Sequence, residues 1–136
     1  MNRRDAGHSE PDAELNRVSG EVIGAAIEVH RALGPGFLES VYEEAMCDEL
    51  QLRRLPFARQ VAIAIPYKGR IIAEQRLDLL VADRLIVELK AVEALAAIHT
   101  AQLLSYLKAT RLVLGLLINF NVHQLVTGVR RVIQTP

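Results

Sequence analysis

Two carboxylates and one amine interrupt a run of aliphatic residues in the middle of the chain. In RLDLLVADRLIVELKAV, residues 76–92, Asp78, Glu88 and Lys90 stand among leucines, valines and isoleucines that are typical of buried strands. Carboxylates supply oxygen ligands for a hard cation, and a lysine ammonium offsets negative charge. These residue types in one place could support metal-assisted hydrolysis.

The alternation within this segment predicts where the three side chains lie. Aliphatic residues occupy the odd-numbered positions, which are therefore expected to share one buried face: Leu77, Leu79, Val81, Leu85, Val87 and Leu89. A three-residue loop, 82–84, joins the two strands in a register that keeps this face together. In that register Asp78 lies directly opposite Glu88, and Lys90 follows one step along on the same face.

Carboxylates placed in this way need a compensating cation. Opposed residues have Cα atoms ~4.5–5.5 Å apart. At that separation two ionised groups repel by about 3 kcal/mol if the effective dielectric constant is ~20. Lys90, Arg76 or a metal could offset the repulsion, and oxygen ligands on a partly solvated face favour Mg²⁺ or Mn²⁺. The residues alone leave an alternative open, in which Asp78 forms an ordinary cross-strand ion pair with Arg76 or Lys90.

A segment rich in polar residues follows this strand. In HTAQLLSYLKAT, His99, Gln102 and Tyr106 recur at helical spacing, so they are expected on one helix face, opposite the leucines at 103, 104 and 107. Three hydrogen-bonding side chains would then point the same way. The alternative is a semi-exposed polar face without a function.

The periodicity along the whole chain predicts the order ααβββαββ. Helices are expected from about Ala13 to the break at Gly34-Pro35-Gly36, from Phe37 to Arg53 and from Val92 to Ala109. Strands are expected at 60–67, 70–81, 84–91, 112–120 and 125–133, with a hairpin turn at Lys68-Gly69. This order favours a single domain that spans residues 13–136. The domain is of the α/β class (α+β), with a mixed sheet covered by helices. A disordered arm is expected over residues 1–12.

Composition excludes several classes of protein. Hydrophobic residues make up 51% and charged residues 24% of the chain, which excludes a disordered chain. The longest apolar run, residues 112–118, is far shorter than the ~20 residues that a membrane span needs. No signal-peptide apolar region follows the start, so a cytoplasmic protein without a membrane partner is expected. Residues 1–50 carry 11 acids and 4 bases, residues 51–136 carry 5 acids and 12 bases, and a polyanion would therefore meet the second part.

Taken together, these residues resemble a known nuclease pattern. Asp78 followed by the Glu-Leu-Lys of 88–90 resembles the core of the PD-(D/E)XK nuclease superfamily, although Leu77 replaces the proline of the name. The Gln-x-x-x-Tyr of 102–106 resembles an element of its RecB-like branch. GFLESVY, residues 36–42, is similar to the G-x-x-E-x-x-Y element of the small bacterial GxxExxY proteins. Its glycine and tyrosine are equally compatible with a tight helix entry and core packing alone.

The resemblance implies a restriction-endonuclease-like core, in which helices flank a four-stranded mixed sheet and a metal centre lies at one edge. Mg²⁺ or Mn²⁺ is implied as cofactor. The implied metal-binding residues are Glu39, Asp78, Glu88 and, through its carbonyl, Leu89; the catalytic residues are Asp78, Glu88 and Lys90; the residues facing the substrate are Gln102 and Tyr106. In this scheme Lys90 orients or activates the attacking water.

The implied function is a metal-dependent nuclease, a hydrolase of phosphodiester bonds in nucleic acid, with DNA favoured over RNA. The alternative is a non-catalytic module with a nuclease fold that binds nucleic acid or protein. A net charge of zero and an aromatic content of 4% favour weak or assisted contact with nucleic acid, through a homodimer or a partner protein.

Overall fold

A computed structural model describes residues 10–135 of the chain, and it contains the predicted three helices and five strands. The elements are α1 Ala13–Leu33, α2 Glu39–Leu52, β1 Phe57–Tyr67, β2 Arg70–Val81, β3 Leu85–Lys90, α3 Ala97–Thr110, β4 Leu114–Asn119 and β5 Val129–Ile133, with a 3₁₀ turn Leu125–Gly128 before β5. Most of the predicted arm, residues 1–9, lies outside the described residues. Over residues 10–135 no helix is both long enough and apolar enough to span a bilayer.

The strands form one mixed sheet in the order β1-β2-β3-β4-β5. Strands β3 and β4 are parallel, because α3 connects them as a crossover, and every other neighbouring pair is antiparallel. The mixed sheet and its flanking helices confirm the predicted fold class. The resemblance implied four strands, whereas the sheet has five, the number that the alternation along the chain predicted.

Both predicted hairpin turns are present. Lys68 and Gly69 have φ of 50° and 79°, which is the left-handed conformation that a two-residue turn requires. Ala82 and Asp83 are also left-handed, and Val81 pairs with Leu85. The loop of 82–84 therefore sets the predicted register of β2 against β3.

The sheet separates two apolar clusters. Helices α1 and α2 cover one face, which buries Leu79, Val81, Leu85, Val87 and Leu89. Helix α3 covers the other face, where Ile86 and Leu117 pack against Leu103 and Leu107. Leu77 packs on this second face, so the prediction that it shares a face with the other odd-numbered residues is wrong.

An irregularity beside Asp78 explains the change of face. Gln60 in β1 has a φ of 51°, and neither Gln60 nor Asp78 takes part in the ladder that pairs their neighbours. A left-handed residue interrupts the alternation of a strand. Beyond this point Val61 pairs with Leu77, and both pack towards α3.

Helix α3 begins at Ala97, five residues later than predicted. The buried side chain of Asn119, at the end of β4, binds both backbone groups of Val92: Val92 N–H donates to Asn119 Oδ1 at 3.0 Å, and Asn119 Nδ2 donates to the Val92 carbonyl at 2.9 Å. These bonds hold the chain extended where a helix was expected. The helix starts only after Ala96, whose N–H donates to His99 Nδ1 at 2.9 Å.

Replacing Asn119 tests whether this link anchors the segment between β3 and α3. We expect Asn119→Ala to lower the free energy of unfolding by about 1–3 kcal/mol, because Val92 N–H loses its partner and the Val92 carbonyl keeps only the long bond from Asn121 Nδ2 at 3.5 Å. The control is Gln51→Ala, which removes an exposed amide side chain near the end of α2 and should cost less than ~0.5 kcal/mol. Urea denaturation of both variants measures the difference, and equal losses would contradict the assignment.

Candidate active site

The site lies where β2 separates from β3. The backbone ladder between these strands ends at the pair Leu79 and Val87, and the next pair along is Asp78 and Glu88. Here the side chains take over the hydrogen bonding: Asp78 N–H donates to Glu88 Oε2 at 2.8 Å, and Leu89 N–H donates to Asp78 Oδ2 at 2.8 Å. Each carboxylate thus accepts an amide of the opposite strand, and the structure brings Asp78 and Glu88 together as the register predicted.

Burial makes this pair unusual electrostatically. Glu88 is 5% exposed, and burial, followed by the charge of Asp78, raises its pKa to about 8. Burial also raises the pKa of Asp78 above its usual range, although the hydrogen bond from Leu89 opposes the shift. Among the described residues neither carboxylate has an ion-pair partner within 4 Å. Without a cation it is therefore unfavourable for the carboxylates of Asp78 and Glu88 to be ionised at the same time.

The donor set suits a small divalent cation. Across residues 10–135 no three His, Cys, Asp or Glu side chains are grouped so as to hold a metal by themselves. The protein ligands would be the carboxylates of Asp78 and Glu88 and the carbonyl of Leu89, with water completing the shell. Mg²⁺ binds in this way, through one or two carboxylates and several waters.

Two further predicted residues lie near the pair without touching it. Lys90, half-buried at the end of β3, carries a charge that lowers the pKa of both carboxylates, yet it is not within ion-pair distance of either. Glu39, exposed at the first position of α2, carries a charge that raises both pKa values. Among the described residues Glu39 does not form a three-carboxylate group with Asp78 and Glu88, so its part in binding a metal stays a prediction.

Glu43 is an acidic neighbour that the sequence analysis missed. Among the charges that raise the pKa of Asp78, that of Glu43 has the largest effect. Arg59 donates to Glu43 Oε2 at 2.7 Å, and Gln60 donates to Glu43 Oε1 at 2.7 Å, so the carboxylate is fixed to β1. The helical spacing in the sequence could have identified Glu43, because it lies four residues after Glu39 and hence on the same face of α2.

The polar residues of α3 are not equivalent. Tyr106 is buried with Leu103 and Leu107, so the prediction that it lies opposite those leucines is wrong. At 3.6 residues per turn, Tyr106 is only about 60° from Leu103. Its hydroxyl donates to Gln75 Oε1 at 3.4 Å, and burial, followed by the charges of Glu88 and Asp78, raises its pKa. Gln102, by contrast, is exposed.

The Glu88 shift predicts an unusual pH dependence of stability in metal-free buffer. Folding raises the pKa of Glu88 from 4.5 to about 8. The contribution of Glu88 to the free energy of unfolding is therefore fully present below pH 4.5 and is lost as the pH rises through 8. Glu88→Gln cannot ionise. We expect this variant to lose less stability than the wild type between pH 5 and about 8.5, by roughly 1–4 kcal/mol. Thermal unfolding with a chelator present measures the difference.

Glu93→Gln is the control for this experiment, because Glu93 is an exposed glutamate near the end of β3. It should follow the wild type at every pH. If the stability of Glu88→Gln changes with pH in the same way as that of the wild type, burial does not disfavour the ionised form of Glu88, and the assignment is wrong.

Comparison with known proteins agrees with this geometry. The model of the PD-(D/E)XK nuclease superfamily matches residues 16–132, a span that runs from α1 into β5 and includes Asp78, Glu88 and Lys90. No curated protein and no solved structure gave a significant match. The mixed sheet flanked by helices is consistent with a restriction-endonuclease-like fold. The chain belongs to the PD-(D/E)XK nuclease superfamily.

Proposed function

We propose that this protein is a metal-dependent nuclease that hydrolyses phosphodiester bonds in nucleic acid, with DNA favoured over RNA. The observation that carries the proposal is the interlocked pair of the half-buried Asp78 and the buried Glu88, beside Lys90 where β2 leaves β3. In a structural ion pair Lys90 would contact one of the two carboxylates. Among the described residues Lys90 forms no ion pair with Asp78 or Glu88. Membership of the nuclease superfamily supports the same conclusion.

The carboxylates of Asp78 and Glu88 and the carbonyl of Leu89 would hold Mg²⁺ or Mn²⁺. When bound, such an ion polarises a phosphate oxygen and lowers the pKa of a water. Glu39, which lies outside this group, would act on the site through its charge and through bound water. The hydrogen bonds from Asp78 N–H and Leu89 N–H fix the two carboxylates, so the ligands are positioned before any ion arrives.

Lys90 supplies the ammonium for the chemical step. Its Nζ would hydrogen-bond the attacking water and stabilise the negative charge that grows on the phosphate oxygens in the transition state. The neighbouring carbonyl of Lys90 accepts a hydrogen bond from Phe120 N–H at 2.9 Å, which fixes the backbone from which the side chain extends. The lysine is thereby held beside the carboxylates without neutralising them in advance.

The two α3 residues would divide their roles. Gln102 is exposed, so its amide is free to contact a nucleic-acid strand. Tyr106 is buried and bonded to Gln75 in β2, so it would orient the carboxylate pair and the β1–β2 hairpin against α3. In this respect the Gln-x-x-x-Tyr element serves both to contact the substrate and to build the site.

The catalytic assignment predicts the effect of two substitutions. Asp78→Asn keeps an oxygen that can accept the Leu89 N–H but removes the charge, and Lys90→Ala removes the ammonium. We expect each to lower kcat for cleavage at least ~100-fold. Lys68→Ala, which changes an exposed lysine of the β1–β2 turn, should keep wild-type activity. Circular dichroism and thermal melting establish that the variants are folded, and undiminished cleavage by the folded variants would refute the mechanism.

A second prediction concerns the ion and separates the nuclease from a non-catalytic binding module. We expect a chelator to abolish cleavage and Mg²⁺ or Mn²⁺ to restore it. Calorimetric titration with Mn²⁺ should detect binding to the wild type, and Asp78→Asn should weaken it at least tenfold, because one of two carboxylate ligands loses its charge. Binding of both ion and nucleic acid without any turnover would favour the binding module.

A further inference from the structure

An apolar patch surrounds Glu39 at the start of α2. Phe37 is 47% exposed, Leu38 77% and Val41 37%, although side chains of this kind are normally buried. Phe37 and Leu38 directly precede α2 and Val41 lies in its first turn, so the three side chains are grouped around the start of the helix. We call Phe37, Leu38 and Val41 the entrance patch.

Aromatic contacts fix the entrance patch relative to the site. The ring of Phe37 meets Tyr42 edge-on at 6.1 Å, and Phe37 N–H donates to the Tyr42 hydroxyl at 3.2 Å. Tyr42, which is fully buried, stacks on Phe120 at 4.4 Å, and Phe120 N–H in turn binds the carbonyl of Lys90. Two rings thus connect Phe37 to the backbone of the proposed catalytic lysine. The patch is a rigid surface beside the site.

The charges around the patch indicate what could cover it. Helix α2 carries five carboxylates, of which Glu43 and Glu44 pair with Arg59 and Glu49 pairs with Arg53. Glu39, within the patch itself, has no ion-pair partner among the described residues, so its charge repels phosphate groups there. Helix α3, on the other face of the sheet, carries a lysine and no carboxylate. A nucleic-acid strand in the site would therefore turn its phosphates away from α2 and its uncharged bases towards it. A second copy of the chain would bring the unpaired carboxylates of two Glu39 residues together, which disfavours a homodimer through this patch.

We propose that Phe37, supported by Leu38 and Val41, stacks against an unpaired nucleobase next to the phosphate held at Asp78, Glu88 and Lys90. A base can reach this surface only if it has left a duplex, so the substrate class is a single strand or an unpaired end. This inference rests on the proposed nuclease function. Stacking of a base on an aromatic side chain is sequence-tolerant, and its loss should weaken binding about 5- to 150-fold.

Fluorescence tests the contact directly. The chain contains no tryptophan, so Phe37→Trp creates a single probe at the patch. Leu52→Trp is the matched control: Leu52 is 78% exposed at the other end of α2, about 20 Å away. Both are made in the Lys90→Ala background to prevent cleavage and are titrated with oligothymidylate in Mg²⁺. We expect quenching of the indole fluorescence in the Phe37→Trp variant alone. An abasic oligonucleotide, which has the same phosphates and no bases, should quench it far less.

Affinity gives the second readout. Phe37→Ala should raise the Kd for oligothymidylate about 5- to 150-fold and leave the Kd for the abasic oligonucleotide unchanged, whereas Leu52→Ala should change neither. Equal quenching by the two oligonucleotides, or equal affinities of the two alanine variants, would overturn the stacking proposal alone if the wild type still cleaves. A wild type that binds neither oligonucleotide would overturn the proposed function with it. Sedimentation showing a dimer that Phe37→Ala dissociates, with binding unchanged, would assign the patch to a second copy.

Discussion

The site depends on two hydrogen bonds between β2 and β3, one from Asp78 N–H to the Glu88 carboxylate and one from Leu89 N–H to the Asp78 carboxylate. In a regular antiparallel pair the amides of Asp78 and Leu89 would face backbone carbonyls, but here carboxylate oxygens of the opposite strand accept them. Strands β2 and β3 can therefore separate without leaving buried amides unsatisfied. The cost is a buried carboxylate at Glu88 next to the half-buried carboxylate of Asp78, which is why the pKa of Glu88 rises to about 8. A cation would relieve that cost, so the same feature that shapes the sheet is the one at which we propose that an ion binds.

The surroundings hold this opening in place from both sides. On one side Arg59 and Gln60 bind Glu43, which attaches α2 to β1 next to the point where Gln60 breaks the alternation of its strand. On the other side Tyr106 binds Gln75, which attaches α3 to β2. The β1–β2 hairpin is thus tied to a helix on each face of the sheet, and these contacts restrain the strands on either side of Asp78. A preorganised gap matters because ligands that must move lose affinity and rate.

Much of this arrangement could be predicted, and the failures have identifiable causes. The pairing of Asp78 with Glu88 followed from a period of two and a loop of fixed length, both of which are local. The change of face at Leu77 depends on the conformation of Gln60 in another strand, and the late start of α3 depends on Asn119, which lies 27 residues from Val92. No local pattern contains that information. Tyr106 was misplaced by judging its face from the polar residues alone, and Glu43 was missed although its spacing from Glu39 was available. The more specific resemblance to GxxExxY proteins stays a prediction.

The distribution of charge sets the physical terms on which a substrate could bind. With a net charge of zero the chain exerts no long-range pull on a polyanion, so affinity has to arise from contacts made at the site. Under the proposed function those contacts would be of three kinds: an ion between Asp78 and Glu88, the ammonium of Lys90, and apolar surface at Phe37. The first two act on the phosphate and weaken as salt is added, whereas stacking on a ring does not. Because Tyr42 and Phe120 link Phe37 to the backbone of Lys90, a base on the ring and a phosphate at the lysine are positioned by one connected set of contacts. Recognition of the base would then also place the bond to be cut.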